Sequence, residues 1–368
     1  MTEERVFHWK HGWIPLDHVA TPPKKLAQPG FDSLPKPLQD KIHAKLESVT
    51  GIPEPELAKK VQANLERMFT TGNLQDKDWY PEKNAELDRR AANISNKYHV
   101  TLTQEQLVGM TAVTSTHKRW RENVQFSTAI ASTLAADEPF QVTRVMVDDY
   151  NAWAAKRHSS LTPHADIKPG TYRPSELPTG FVSSKTPGMP RAINQDSVIR
   201  AAKIYRREFT LDEAIGGPKQ RNFVNNLMNP EDSDYVTVDT WHYRAMMGDI
   251  PVTRTVGPAG AKVTMSMPLA DWTNRDLSVA DGRAVLYGYD PKKPRYDDGN
   301  VAATIKAADQ FAPQVFFQSG PASKADNWDS NDGTYPWFMK QTQIVAAKLG
   351  VRPNALQAVA WVNVGGGE

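Results

Sequence analysis

The chain has 368 residues, is 39% hydrophobic and 23% charged, and carries a formal net charge of +2. It can therefore bury a sizeable core in one or two domains, and its overall charge points to no particular partner. It contains no cysteine, which excludes disulfides, zinc–thiolate centres, iron–sulfur clusters and cysteine nucleophiles.

No apolar run of about 18 residues is present to span a membrane. Residues 1–10 carry acids where a secretory signal would be apolar. The expectation is a cytoplasmic protein that does not contact membranes.

Residues 1–36, with Trp9, Trp13 and five prolines from Pro15 to Pro35, read as an extended arm. His8, His11 and His18 lie in it without a partner cluster at ligand spacing, so no metal site is expected. Residues 37–157 form a helical subdomain. Leu38, Ile42, Leu46 and Val49 fall on one face that stops at Gly51, and Leu57, Val61, Leu65 and Met68 repeat the period. A third helix covers 82–98. Thr103 and Gln106 have capping-box spacing ahead of Leu107, Met110 and Val113. The run Thr114-Ser115-Thr116-His117 is a polar break. The next helix carries Trp120, Val124 and Leu134 and starts with Lys118, Arg119 and Arg121. A further helix covers 142–157.

Residues 158–196 hold six prolines between Pro163 and Pro190, too many for a helix, and read as a long connecting loop. Ser197 is an N-cap for a helix whose inner face is Val198, Ala201, Ala202 and Tyr205. Residues 197–249 then bring a glycine turn, Gly216-Gly217-Pro218, a helix over 219–228, and the apolar run 235–238 ending in Asp239, an N-cap for the next helix. Residues 250–333 read as an irregular insertion with a turn and strand over 256–267 and a helix over 301–310. The acidic run 326–333 resembles a calcium loop, but Phe338 stands in place of the closing glutamate. Residues 334–368 form two C-terminal helices, separated at Gly350. The fold class is mainly α.

Several of these residues have two readings. The Gly216 and Gly217 amides can hold a phosphate ahead of a helix N-terminus, or simply turn the chain. Lys203, Arg206, Arg207 and Arg221 can contact DNA phosphates or form a solvated face. Lys219 is a nucleophile or a phosphate contact, and Asp239 a stabiliser of a developing cation or a plain helix cap. Trp120, Trp241, His242 and Tyr243 can cover a base or pack in the core.

The order of these pieces resembles the helix-hairpin-helix DNA glycosylase superfamily, the endonuclease III-like group. The segment from Met110 to Thr116 is similar to the family's first polar segment, Gly216-Gly217-Pro218-Lys219 to its hairpin, and Val238-Asp239-Thr240-Trp241-His242-Tyr243-Arg244 to its aspartate run. The departures are Ile215 in place of the first hairpin glycine, Trp241 in place of the family histidine, and a longer Lys219-to-Asp239 spacing.

The resemblance implies a helix-hairpin-helix glycosylase-like core with an irregular insertion and an extended N-terminal arm. It implies a divergent, bacteriophage-encoded enzyme in the host cytoplasm that acts on a flipped-out base in double-stranded DNA. Asp239 and Lys219 would be catalytic, and no cofactor would be needed. Two alternatives stay open: a base-modifying transferase of the thymine-hypermodification kind with a small-molecule donor, and a DNA-binding or structural protein without chemistry.

Overall fold

A computed structural model of the chain describes residues 5–8, 12–15, 26, 29–115, 119–157, 161, 164–191, 194–231, 235–256, 263–268 and 333–364. Among them helices dominate and the strands are short. The expected helix over 301–310, the calcium-like run over 326–332, His11, His18 and residues 116–118 of the polar break lie outside these residues.

The first helices follow from their apolar period. Helix α1 (Lys36–Thr50) ends where Gly51 takes φ 68°, a left-handed conformation that glycine adopts without a Cβ penalty. Helix α2 (Glu54–Thr71) buries Leu57, Val61 and Leu65 completely. Helix α3 (Trp79–Tyr98) starts three residues earlier than its periodicity suggests, because Pro81 is tolerated in a first turn.

Helix α4 (Gln104–Thr114) has the capping box its sequence predicts. Thr103 Oγ1 accepts from the Gln106 amide at 3.1 Å, and Gln106 Oε1 accepts from the Thr103 amide at 3.0 Å. The same glutamine donates through Nε2 to the carbonyls of Ile204 and Tyr205, tying α4 to the end of α8 (Gln195–Tyr205). Helix α5 (Trp120–Ala136) follows the polar break.

Residues 158–196 differ from the expected loop. Strand β4 (Gly170–Tyr172) pairs antiparallel with β3 (Phe140–Val142), which precedes α6 (Arg144–Arg157). A 3-10 turn covers Pro174–Glu176, and α7 (Thr179–Lys185) follows Pro178, with Phe181 and Val182 fully buried. The prolines open these elements, where a missing N–H costs nothing. The cap of α8 is also corrected. Asn194, not Ser197, fills it, with Oδ1 accepting from the Asp196 amide at 3.0 Å.

The chain continues through the short α9 (Leu211–Ala214), α10 (Pro218–Met228) and α11 (Thr240–Met247) into strands β5 (Pro251–Val256) and β6 (Val263–Pro268), an antiparallel hairpin. In the arm, β1 (Arg5–His8) and β2 (Gly12–Pro15) form another. Helices α12 (Tyr335–Leu349) and α13 (Pro353–Asn363) close the described chain.

Two apolar clusters hold these elements. One gathers α3, α4, α5, α8 and α10, and the other gathers α1, α2, α11 and α12. Helix α13 serves both, giving Ala358 and Trp361 to the first and Leu356 and Ala360 to the second.

Buried polar bonds lock the seam between the clusters. The Tyr335 hydroxyl donates to the Val236 carbonyl at 2.7 Å. It accepts from the Val238 amide and from Asn222 Nδ2, each at 2.9 Å. This one phenol fixes the segment that delivers Asp239. Replacing Tyr335 by Phe leaves the Val238 amide with its 3.1 Å bond to the Val236 carbonyl and Asn222 Nδ2 with only its 3.6 Å contact to Met339 Sδ, so it is expected to cost about 1–3 kcal/mol, read as a lower urea midpoint at unchanged slope.

Candidate functional site

Asp239 and Lys219 reach one cavity from the two clusters. Its wall comprises Tyr80, Ser115, Trp120, Asn123, Lys219, Phe223, Thr237, Asp239, Gln357 and Trp361, around a small cavity of about 30 Å³, room for a few water molecules. Aromatic rings form much of the wall. Trp79 stands behind it, edge to face with Tyr80, Trp120 and Trp361 at centroid distances of 4.9, 5.0 and 4.9 Å.

Asp239 is the N-cap of α11. Its Oδ1 accepts from the amides of Trp241 and His242, both at 3.0 Å. Its Oδ2 meets no hydrogen-bond donor among the described residues and is the oxygen left for the cavity. Burial raises the Asp239 carboxyl above its ordinary value; Lys219, the two amides and Arg244 pull it back in part.

Lys219 extends from the first turn of α10 to the C-terminal end of α4. Its Nζ has only long contacts there, 3.4 Å to the Ser115 carbonyl and 3.5 Å to Ser115 Oγ. Burial lowers its ammonium below the ordinary lysine value, and Asp239 opposes that shift. A buried amine that deprotonates readily is the form of lysine suited to nucleophilic attack. The site thus presents an amine and a carboxylate that interact electrically without a direct ion pair.

Other expected site residues go elsewhere. Of the four aromatic candidates only Trp120 lines the cavity, and its Nε1 donates to Glu86 at 3.0 Å. His242 is fully buried, 2.9 Å from Thr342 Oγ1 through Nε2, with its pKa pushed down to about 3 by burial. Tyr243 packs edge to face on Phe338 at 4.9 Å, and Trp241 lies under the Arg244 guanidinium at 4.5 Å.

The basic helix is corrected too. Arg206 donates to the carbonyls of Leu177 and Pro174 and to Thr179 Oγ1, so it braces the proline-rich segment. Lys203 pairs with Glu208 at 3.6 Å and sits over Phe209. Arg221 is buried, bound to Asp212 at 2.6 Å. These three are committed to the fold and are not available to phosphates. Arg207 is exposed, with φ 59°. Gly216 and Gly217 lie half-buried ahead of α10, and Gly217 caps it with φ −89°.

Tyr80, Asn123, Thr237, Gln357 and Trp361 also line the cavity and do not stand out by periodicity. Their one local signal is a lone amide inside an apolar stretch. Gln357 interrupts Ala355-Leu356-Gln357-Ala358-Val359-Ala360, and Asn123 sits beside the core residue Val124.

Among the described residues no group of three His, Asp or Glu side chains has the arrangement of a metal site. No helix among them is long and apolar enough to cross a membrane. Comparisons with protein-family models, with curated proteins and with solved structures give no match to this chain.

A raised carboxyl pKa has a defined stability signature. The folded protein holds the Asp239 proton more tightly than the unfolded chain does. Wild-type stability therefore falls as pH rises from the ordinary aspartate value of 3.8 through the folded value, and levels off above it. Asparagine keeps the cap without the charge. Asp239→Asn is expected to unfold at equal or higher temperature than wild type at neutral pH, and its advantage should vanish below about pH 3.5. Calorimetry across that range checks the sign.

Proposed function

We propose that the chain is a DNA glycosylase-like enzyme of the helix-hairpin-helix type, acting on a nucleobase turned out of duplex DNA. The observation that carries this reading is the meeting of Lys219 and Asp239, from separate helices, at one aromatic-walled cavity. A base must leave the stack for its C1′ bond to reach side chains. The rings of Tyr80, Trp120, Phe223 and Trp361 line the cavity, and admission of a base requires these side chains to move apart from the present cavity of about 30 Å³.

In the proposed reaction the neutral Lys219 amine attacks C1′ of the sugar. The N–C1′ bond forms as the bond from C1′ to the base breaks, and the base departs with that electron pair and takes up a proton. Asp239 Oδ2 stabilises the positive charge that builds on the sugar, and receives the proton that the new secondary ammonium gives up. Opening of the sugar ring then gives an iminium linkage to Lys219, which water hydrolyses or borohydride reduces.

Duplex DNA as the partner is supported by Arg119 and Arg121, both exposed on either side of Trp120 at the start of α5. Arg207 and the amides after Gly216 and Gly217 offer further phosphate contacts.

The test is incubation of the full chain with duplexes carrying a panel of altered bases, followed by mass spectrometry of DNA and free base. Release of a base supports the reading. A base altered and retained marks a transferase, and no change on any duplex removes the enzyme assignment. Asp239→Asn should reduce turnover at least about 100-fold. Borohydride should trap a protein–DNA adduct that is lost in Lys219→Ala. Because burial lowers the Lys219 pKa, trapping should rise with pH and reach its plateau below the ordinary lysine value of 10.5.

The double change of Arg119 and Arg121 to Glu should weaken duplex binding and reduce the magnitude of its salt slope by roughly 2. An unchanged slope in a fluorescence titration takes this rim out of the interface.

A further inference from the structure

A second cavity opens towards the C-terminal end of α5. Thr133, in its wall, lies about 15 Å along that helix from Asn123 of the first cavity. The volume is about 390 Å³, within the roughly 300–1,000 Å³ of small-molecule sites. The wall takes Tyr98 from the end of α3, Ser132 and Thr133 from α5, and Glu138 and Phe140 from just beyond it. Pro174 and residues 186–188 complete it from the proline-rich segment.

Bonds that reach across the sequence hold this wall in place. Asp137 ends α5 with φ 47° and accepts from the Ser175 amide and hydroxyl, each at 2.7 Å. Arg206 donates to the Pro174 carbonyl, and Arg191 to the Thr186 carbonyl at 3.3 Å. The pocket is therefore shaped before any ligand arrives.

Its polar groups are unspent. In α4 and α5, Thr111, Thr114, Ser127 and Thr128 return their hydroxyls to backbone carbonyls about one turn back. Ser132 and Thr133, further along α5, make no such bond. Among the described residues the Tyr98 hydroxyl has no hydrogen-bond partner and the Glu138 carboxylate no ion pair. Gly188, with φ 84°, leaves the Thr133 hydroxyl uncovered, since a Cβ there would stand 3.1 Å from Thr133 Oγ1.

The same wall excludes several ligand classes. No lysine or arginine lines it, so nothing in it would neutralise a phosphate or a DNA strand. A cation is disfavoured because the Lys97 ammonium already stands 4.8 Å from the centre of the Tyr98 ring. The Glu138 carboxylate requires donors, whereas the Ser and Thr hydroxyls both donate and accept. A ring that carries several hydroxyls meets both demands. Its C–H faces suit the half-buried Tyr98 and Phe140 rings.

We propose that this pocket binds a neutral saccharide of one or two rings. Ser132, Thr133 and Glu138 bond its hydroxyls, and Tyr98 and Phe140 cover its C–H faces. The site is separate from Asp239 and Lys219 and independent of the chemistry assigned to them.

Ligand-observed NMR on the full chain tests this with glucose, galactose, mannose, N-acetylglucosamine, maltose and lactose. Each is added at about 20 mM, enough to load a site with a millimolar Kd. Tetramethylammonium and inorganic phosphate are the comparison ligands. Saturation transfer to at least one sugar is expected, and its titration gives the Kd. Thr133→Val and Glu138→Gln should each weaken that sugar about 3-fold or more, and Tyr98→Leu about 5-fold or more. Circular dichroism reports the fold; Glu138 is exposed, so its change leaves the core intact.

No transfer to any of the sugars overturns the proposal. Tighter binding of tetramethylammonium or phosphate than of every sugar also overturns it. So does a sugar Kd unchanged in all three variants, which places the sugar elsewhere on the molecule.

Discussion

A carboxylate that caps a helix while lining a small cavity is the constraint on which the site depends. The first-turn amides of α11 anchor one oxygen of Asp239 and so fix the other. Removal from water works in the opposite direction and raises the cost of its charge. The lysine across the cavity experiences the same loss of solvent. Each group partly relieves the other, and neither is neutralised by contact. Burial thus moves both groups towards their neutral forms, and the attraction between them opposes that shift.

The packing that achieves this is divided between two cores. Lys219 belongs to a helix whose apolar residues Phe223, Val224 and Leu227 join the first cluster, whereas Val236 and Val238, just ahead of Asp239, join the second. Tyr335 and Asn222 bridge them with buried hydrogen bonds. Asn226 adds a bond to Thr237 at 3.0 Å. Polar groups at such a seam define register more strictly than apolar contacts do, because a shift of one residue would leave several of them unmet.

The sequence was most legible where structure is local. The period of Leu38 to Val49, the capping box at Thr103 and the Asp239 cap depend on neighbours within a few positions, and all three are seen in the helices. Residues 158–196 were misread because proline density was taken as a loop signal, although Pro174 and Pro178 stand at the openings of helical turns. The direction of a long basic side chain was not legible at all. Arg206 and Arg221 face backbone carbonyls at Leu177 and Asp212, and these acceptors exist only once distant segments have packed. Trp241, His242 and Tyr243 follow Asp239 closely in sequence, but their rings are taken up by Arg244, Thr342 and Phe338, and packing rather than spacing decides those contacts. Gln357 and Trp361 did not stand out, because their helix is apolar and lies far along the chain from the aspartate.

That separation has a consequence for biosynthesis. The cavity wall runs from Tyr80 on α3 to Trp361 on α13, and the bond from Tyr80 to Gln357 joins residues 277 positions apart. Helices α4 and α5 pack on each other and on α3, and also on α8, so their cluster needs segments well beyond its neighbours in sequence. The wall stays open until α13 leaves the ribosome and inserts Trp361 beside Trp79. A nascent chain has no enclosed lysine. The enclosed cavity therefore forms only once α13 has packed, after the closure of a long loop, and a chain truncated ahead of Pro353 would lack it.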